Sequence, residues 1–119
     1  MLFATRLILG MTVLGPANFD RAIIERAALT AANEVHLDAS LLARVRVEKV
    51  GMSEKCPGTG IEYPLACTTA VGGRVRIWYM ADMNENLRVR VLEHELRHAA
   101  HYLVGDPQWA LVGHEGVGR

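Results

Sequence analysis

From Asp82 to Val104 the apolar residues Leu92, Leu96, Ala99 and Leu103 recur at helical spacing, which commits the stretch to an amphipathic helix with one face in a core. The rest of the chain has to supply that core. The helix has its own start and stop signals: Asp82 or Asn84 can cap it, Asp82 with Glu85 has the spacing of a capping box, and Gly105 fits a C-terminal stop. Just before it, Arg74-Val75-Arg76-Ile77-Trp78-Tyr79-Met80 alternates with a period of two. That is a strand with Val75, Ile77 and Tyr79 on one face and the arginines and Trp78 on the other.

The remaining segments are read in the same way. Asn18 can cap a helix whose stripe of Ile23, Ile24, Ala27, Ala28 and Ala31 ends near Asn33. Residues 43–48 alternate apolar with charged side chains and predict a half-exposed strand, whereas residues 51–73, rich in Gly, Pro, Thr and Ser, predict a long loop. Asp106-Pro107 fits the cap and first position of a short final helix holding Trp109 and Leu111. With 119 residues, the expected product is one compact α+β domain: an N-terminal helix, at least two strands of a small sheet, the helix near residue 95, and a short C-terminal return.

Residues 1–17 have the three parts of a short signal peptide: a positive charge at Arg6, an apolar run from Leu7 too short to span a bilayer, and small residues at Gly15-Pro16-Ala17. The same run also fits an N-terminal strand or helix packed on the core, leaving residues 18–119 as the domain in the first case only. Cys56 and Cys67 bracket a loop holding Pro57, Gly58, Gly60 and Pro64 and are expected to form a local disulfide. Together with the leader pattern, this favours a secreted or periplasmic protein over a cytoplasmic one.

The helix near residue 95 also carries chemistry. In His94-Glu95-Leu96-Arg97-His98 the histidines are four apart, one turn from each other on one helical face, so both imidazoles can reach a single zinc ion. Glu95 lies beside them, placed to act as general base on a water held there. Chance produces this pattern in on the order of one chain in a hundred, so its weight comes from the amphipathic helix around it and the strand before it.

Over roughly residues 73 to 115 the chain resembles the zincin superfamily of metallopeptidases, whose active-site helix carries the same motif. The resemblance implies zinc-dependent hydrolysis of a peptide bond, with an extended substrate bound along the Arg74–Met80 strand by strand addition. The extended metzincin pattern requires glycine at 101 and histidine at 104; His101 and Val104 stand there instead, so that clan is excluded.

A catalytic zinc needs a third protein ligand. His101 lies two turns from His94 and is read as a wall or surface residue; Asp106 is explained by its capping position before Pro107. A chain that turns at Gly105 and returns along the helix brings up Gly113-His114, similar to the third-ligand segment of SprT-like zincins. Glu115 would be the gluzincin-like choice. The expected metal set is therefore His94, His98 and His114, with Glu115 and Asp106 as alternatives.

Tyr79 and Tyr102 could donate to a developing oxyanion but are expected to be partly buried packing residues, His36 has no partner in sequence, and Trp78 and Trp109 are expected to cover the core. The neutral net charge and the lack of stacking aromatics among Arg74, Arg76, Arg88, Arg90 and Arg97 argue against nucleic acid as a partner. No segment is long enough for stable membrane insertion. The rival to a peptidase is a non-catalytic zinc-binding or interaction module on a degenerate zincin scaffold, or a hydrolase of another amide such as a cell-wall peptide.

Overall fold

The computed structural model describes residues 5–57 and 64–113. It is a small α+β domain in two layers. Strands β1 (Thr5–Ile8), β2 (Met11–Leu14), β3 (Val45–Val50), β4 (Ala66–Val71) and β5 (Arg74–Met80) form one mixed sheet, and helices α1 (Arg21–Glu34) and α2 (Glu85–Leu103) pack against it. The order across the sheet is β1-β2-β3-β5-β4. Strands β2, β3 and β5 run parallel, while β1 and β4 are antiparallel at the two edges.

The period-two pattern decides which face meets the helices. Met11, Val13, Val45, Val47, Val75, Ile77 and Tyr79 are buried on that face, against Ile24, Ala27, Ala28 and Ala31 of α1 and Leu92, Leu96, Ala99 and Ala100 of α2. Small residues along α1 allow α2 to approach closely, and each buried leucine of α2 contributes roughly 1.5–3 kcal/mol of transfer free energy.

Helix α2 begins where its cap allows: the Asn84 side chain accepts from the Leu87 N–H at 2.9 Å, and Glu85 stands in the first turn. It ends where Gly105 takes φ +85 and the chain turns back into a short 3-10 turn at Trp109–Leu111.

Several expectations are corrected. The N-terminal helix starts at Arg21 after a 3-10 turn over Gly15–Asp20, so Asn18 is not its cap, and Asp20 at the cap position makes no capping bond because its carboxylate is used elsewhere. The stretch expected to be loop through residue 73 contains β4, joined to β5 by a two-residue turn in which Gly72 and Gly73 have φ +60 and +81. Positive φ at both positions suits a tight hairpin, and Thr68, Thr69 and Val71 are good strand residues once the partner is present.

The apolar run read as a leader supplies the β1–β2 hairpin, in which Met11 and Val13 are fully buried and β2 pairs with β3. Trp78, expected on the outer face, is on that face but only 1 % exposed. It is the cross-strand neighbour of Cys67, which the Cys56–Cys67 disulfide ties to the preceding loop. Among the described residues no helix is long and apolar enough to cross a membrane.

Candidate metal centre

The motif residues sit at the middle of α2, on the side that faces β4 and the C-terminal return. One main-chain carbonyl and one side-chain hydroxyl orient them. The Nδ1 of His98 lies 2.8 Å from the carbonyl oxygen of Trp109; a carbonyl only accepts, so Nδ1 carries the proton and Nε2 of the neutral ring presents its lone pair. That Nε2 meets the Nε2 of His94 at 3.0 Å, with the rings nearly perpendicular. A point between the two rings therefore takes either a proton or a cation.

The spacing fits a metal. Two nitrogens on one tetrahedral zinc at about 2.0–2.1 Å stand about 3.3–3.4 Å apart, a small opening of the observed contact. A backbone carbonyl holding the far nitrogen of a ligating histidine is also the usual outer support of such a site. Among the described residues, His94, Glu95 and His98 form the group able to hold an ion, with ligand atoms within 4.8 Å of one another.

Glu95 is buried, and its Oε1 accepts from the Thr68 hydroxyl of β4 at 2.7 Å; the same hydroxyl lies 3.2 Å from the Glu95 carbonyl oxygen. Its Oε2 is 4.0 Å from His94 Nε2. Burial pushes the Glu95 carboxyl up to about 7, opposed by the hydrogen bond from Thr68. Thr68 is the residue that sequence reasoning missed. The Gly-Gly turn joining its segment to a clear strand was the available signal, since such a turn implies a strand on both sides.

The other sequence candidates fall into place around this group. His101 is turned away from it: its Nδ1 pairs with Asp106 Oδ2 at 2.7 Å, and its Nε2 lies 3.5 Å from Glu34. Asp106 uses its other oxygen to accept from the Gln108 N–H at 2.8 Å, closing a turn rather than capping a helix, since the short 3-10 turn starts at Trp109 with Gln108 before it; the hydrogen bond from His101 holds its carboxyl below the ordinary value. The Tyr102 hydroxyl accepts from the Gly73 N–H at 2.8 Å and Tyr79 donates to Asp20 at 2.6 Å, so both are committed to structural bonds. His36 is exposed just beyond α1. The Trp109 ring stacks edge-on with Tyr102, while its carbonyl serves the site.

The predicted return also reaches the site. Gly113, at φ +79, lies so close to His94 that a Cβ there would stand 3.1 Å from Cε1 and Nδ1 of its ring. His114 and Glu115 lie outside the described residues.

One expectation fails on topology. The Arg74–Met80 strand cannot bind a substrate by strand addition, because β3 occupies one of its edges and β4 the other. The sheet edge on this side of the molecule belongs to β4. No family model, curated protein or solved structure matches the chain.

Proposed function

We propose that the chain is a zinc-dependent hydrolase of peptide bonds, with His94 and His98 as metal ligands and Glu95 as general base. The observation that carries this reading is the convergence of two imidazole Nε2 atoms beside a buried carboxylate whose hydrogen-bond donor is the neutral hydroxyl of Thr68. Zinc bound there would supply a water acidified toward neutrality and a Lewis acid for the scissile carbonyl.

The chain's own residues do the rest. Glu95 accepts the proton of the attacking water and returns it to the leaving amine, and a carboxyl pushed up to about 7 is matched to that exchange near neutral pH. Its Oε2 lies 4.0 Å from His94 Nε2, farther than the about 3.3 Å between two ligands of one tetrahedral ion, which favours the base role over direct ligation. Thr68 holds Oε1 and so fixes the direction of Oε2.

His114 completes the ligand set in this reading, supported by the approach of Gly113 to His94, with Glu115 as the alternative. Asp106 is less suited because its two oxygens already serve His101 and Gln108. The substrate is an extended peptide paired to the outer edge of β4, the strand that carries Thr68. The Cys56–Cys67 disulfide supports an oxidising compartment as the place of work.

The test is Glu95→Gln on zinc-loaded protein. Turnover of an unstructured peptide should fall by about 10²–10⁴-fold while zinc content stays the same. Unchanged turnover would sink the general-base assignment. Zinc binding with no turnover in the parent protein would favour a non-catalytic zinc module.

A further inference from the structure

The face of the sheet turned away from the helices carries a groove of about 400 Å³, within the range of sites that hold ligands. Register explains its lining. Thr12, Arg46, Arg76 and Thr69 stand side by side across β2, β3, β5 and β4, giving one transverse row of threonine, arginine, arginine and threonine. Arg74 is two residues from Arg76 on the same face of β5, and Arg44 immediately precedes β3, whose first residue Val45 is paired with Val75. Four guanidinium groups thus gather around one depression.

The charge balance there is not that of the whole chain. Overall, 13 basic residues offset 13 acidic ones. Arg76 takes the carboxylates of both Glu48 and Glu54, neither of which lines the groove. Arg44, Arg46 and Arg74 are exposed and make no ion pair with any described residue. Arg76 is thereby compensated, whereas Arg46 directly opposite it, and Arg44 and Arg74 nearby, keep their charges on the open face. Three uncompensated guanidinium groups around one depression favour an anionic occupant.

We propose that this groove binds an extended peptide bearing acidic side chains. Arginine presents a planar fork that matches a carboxylate with two parallel hydrogen bonds. Arg46 on β3 and Arg74 on β5, neither paired with a carboxylate of the described residues, offer two such forks on the same face. The flanking threonines, Thr12 and Thr69, offer hydroxyls to the peptide backbone. A single-stranded nucleic acid is disfavoured because, among the described residues, no aromatic side chain lines the groove for base stacking. A membrane surface is disfavoured because Val71 is the one strongly exposed apolar residue on its rim. The inference rests on the groove alone and not on the metallopeptidase reading, because Glu95 and its Thr68 partner lie on the other face of the sheet.

A fluorescein-labelled peptide of alternating glutamate and threonine, titrated with full-length Glu95→Gln protein, tests it without any contribution from hydrolysis. Saturable binding that weakens with added salt is expected, and the Arg46→Gln/Arg74→Gln double variant should bind about tenfold or more weakly. A matched loss of charge on α1, Arg21→Gln/Arg26→Gln, should leave binding as in the parent. Arg46→Gln alone, at an exposed side chain without an ion pair among the described residues, should leave the Tm unchanged. Absence of saturable binding, an equal loss in the α1 control, or unfolding or a lowered Tm in the arginine variants would each overturn the proposal. Tighter binding of an oligothymidylate or of anionic vesicles would overturn the carboxylate assignment.

Discussion

Among the described residues two carboxylates are buried, and their surroundings differ in kind. Asp20, between the first 3-10 turn and α1, is held by Lys49 at 3.0 Å and Arg88 at 3.2 Å, and accepts from the Tyr79 hydroxyl at 2.6 Å. Two cations more than neutralise it, and its partners come from β3, β5 and α2, so one side chain ties α1 to the rest of the molecule. Arg88 adds a bond to the Met83 carbonyl at 2.8 Å, and burial beside this carboxylate pushes the Tyr79 hydroxyl above its ordinary range. Among the described residues Glu95 has no such cations. Its donor is the Thr68 hydroxyl, its proton affinity is raised by burial, and it stands next to paired imidazoles. A buried charge that is fully compensated secures structure, whereas one left short of compensation beside paired imidazoles is a candidate for chemistry.

The sharpest way to break this contrast is to neutralise each carboxylate in turn. Asp20→Asn leaves Lys49 and Arg88 facing each other around an uncharged amide, and should cost about 3 kcal/mol of stability in chemical denaturation, with unchanged turnover per folded molecule. Glu95→Gln should leave stability within about 1 kcal/mol of the parent, since it removes a carboxylate that burial disfavours. If Glu95→Gln proved the more destabilising of the two, the contrast would be inverted.

A smaller effect is expected at Thr68. Thr68→Val preserves shape but removes the donor to Glu95 Oε1, and should lower turnover by roughly tenfold, the equivalent of one hydrogen bond to a charged group, with zinc content unchanged. A matched change in the Asp20 cluster, Tyr79→Phe, should lower the Tm and leave turnover alone. Peptidase assays and thermal melts on both variants compare the regions directly.

The smallest effect belongs to Asp106. Its carboxyl is held below the ordinary value by His101, so its contribution to stability is present above the unfolded-state value of 3.8 and is lost as pH falls through the lower folded value. Thermal melts of Asp106→Asn should therefore show a slightly lower Tm than the parent at neutral pH, with the difference closing in strong acid. Zinc content should not change, and a loss of zinc would make Asp106 a ligand after all.

Much of the site was legible because it is local. The His94 to His98 spacing, the Asn84 cap, the stop at Gly105 and the 3-10 turn at Trp109 all follow from interactions within a few residues. The bounds of β5 were legible for the same reason. Non-local facts were not. Alternation in residues 74–80 says which side chains share a face, but not whether β5 has a free edge; that depends on β4, whose Ala66-Cys67-Thr68 start has no distinctive period.

The Asp20 cluster joins residues separated by as many as 68 positions, and no spacing rule connects them. Trp78 is buried on the nominally outer face beside Cys67, whose disulfide ties the preceding loop, a placement its alternation could not express. The Cys56–Cys67 bond, by contrast, was readable from two cysteines around a Gly- and Pro-rich loop.

The central claim is that His94 and His98 converge on a metal. Anomalous diffraction at the zinc edge, from crystals grown with equimolar zinc, tests it most directly. One strong peak is expected within about 2.0–2.1 Å of both Nε2 atoms, with Glu95 outside direct bonding distance. No peak at that point, or a peak held by other residues while His94 and His98 keep their contact, would contradict it.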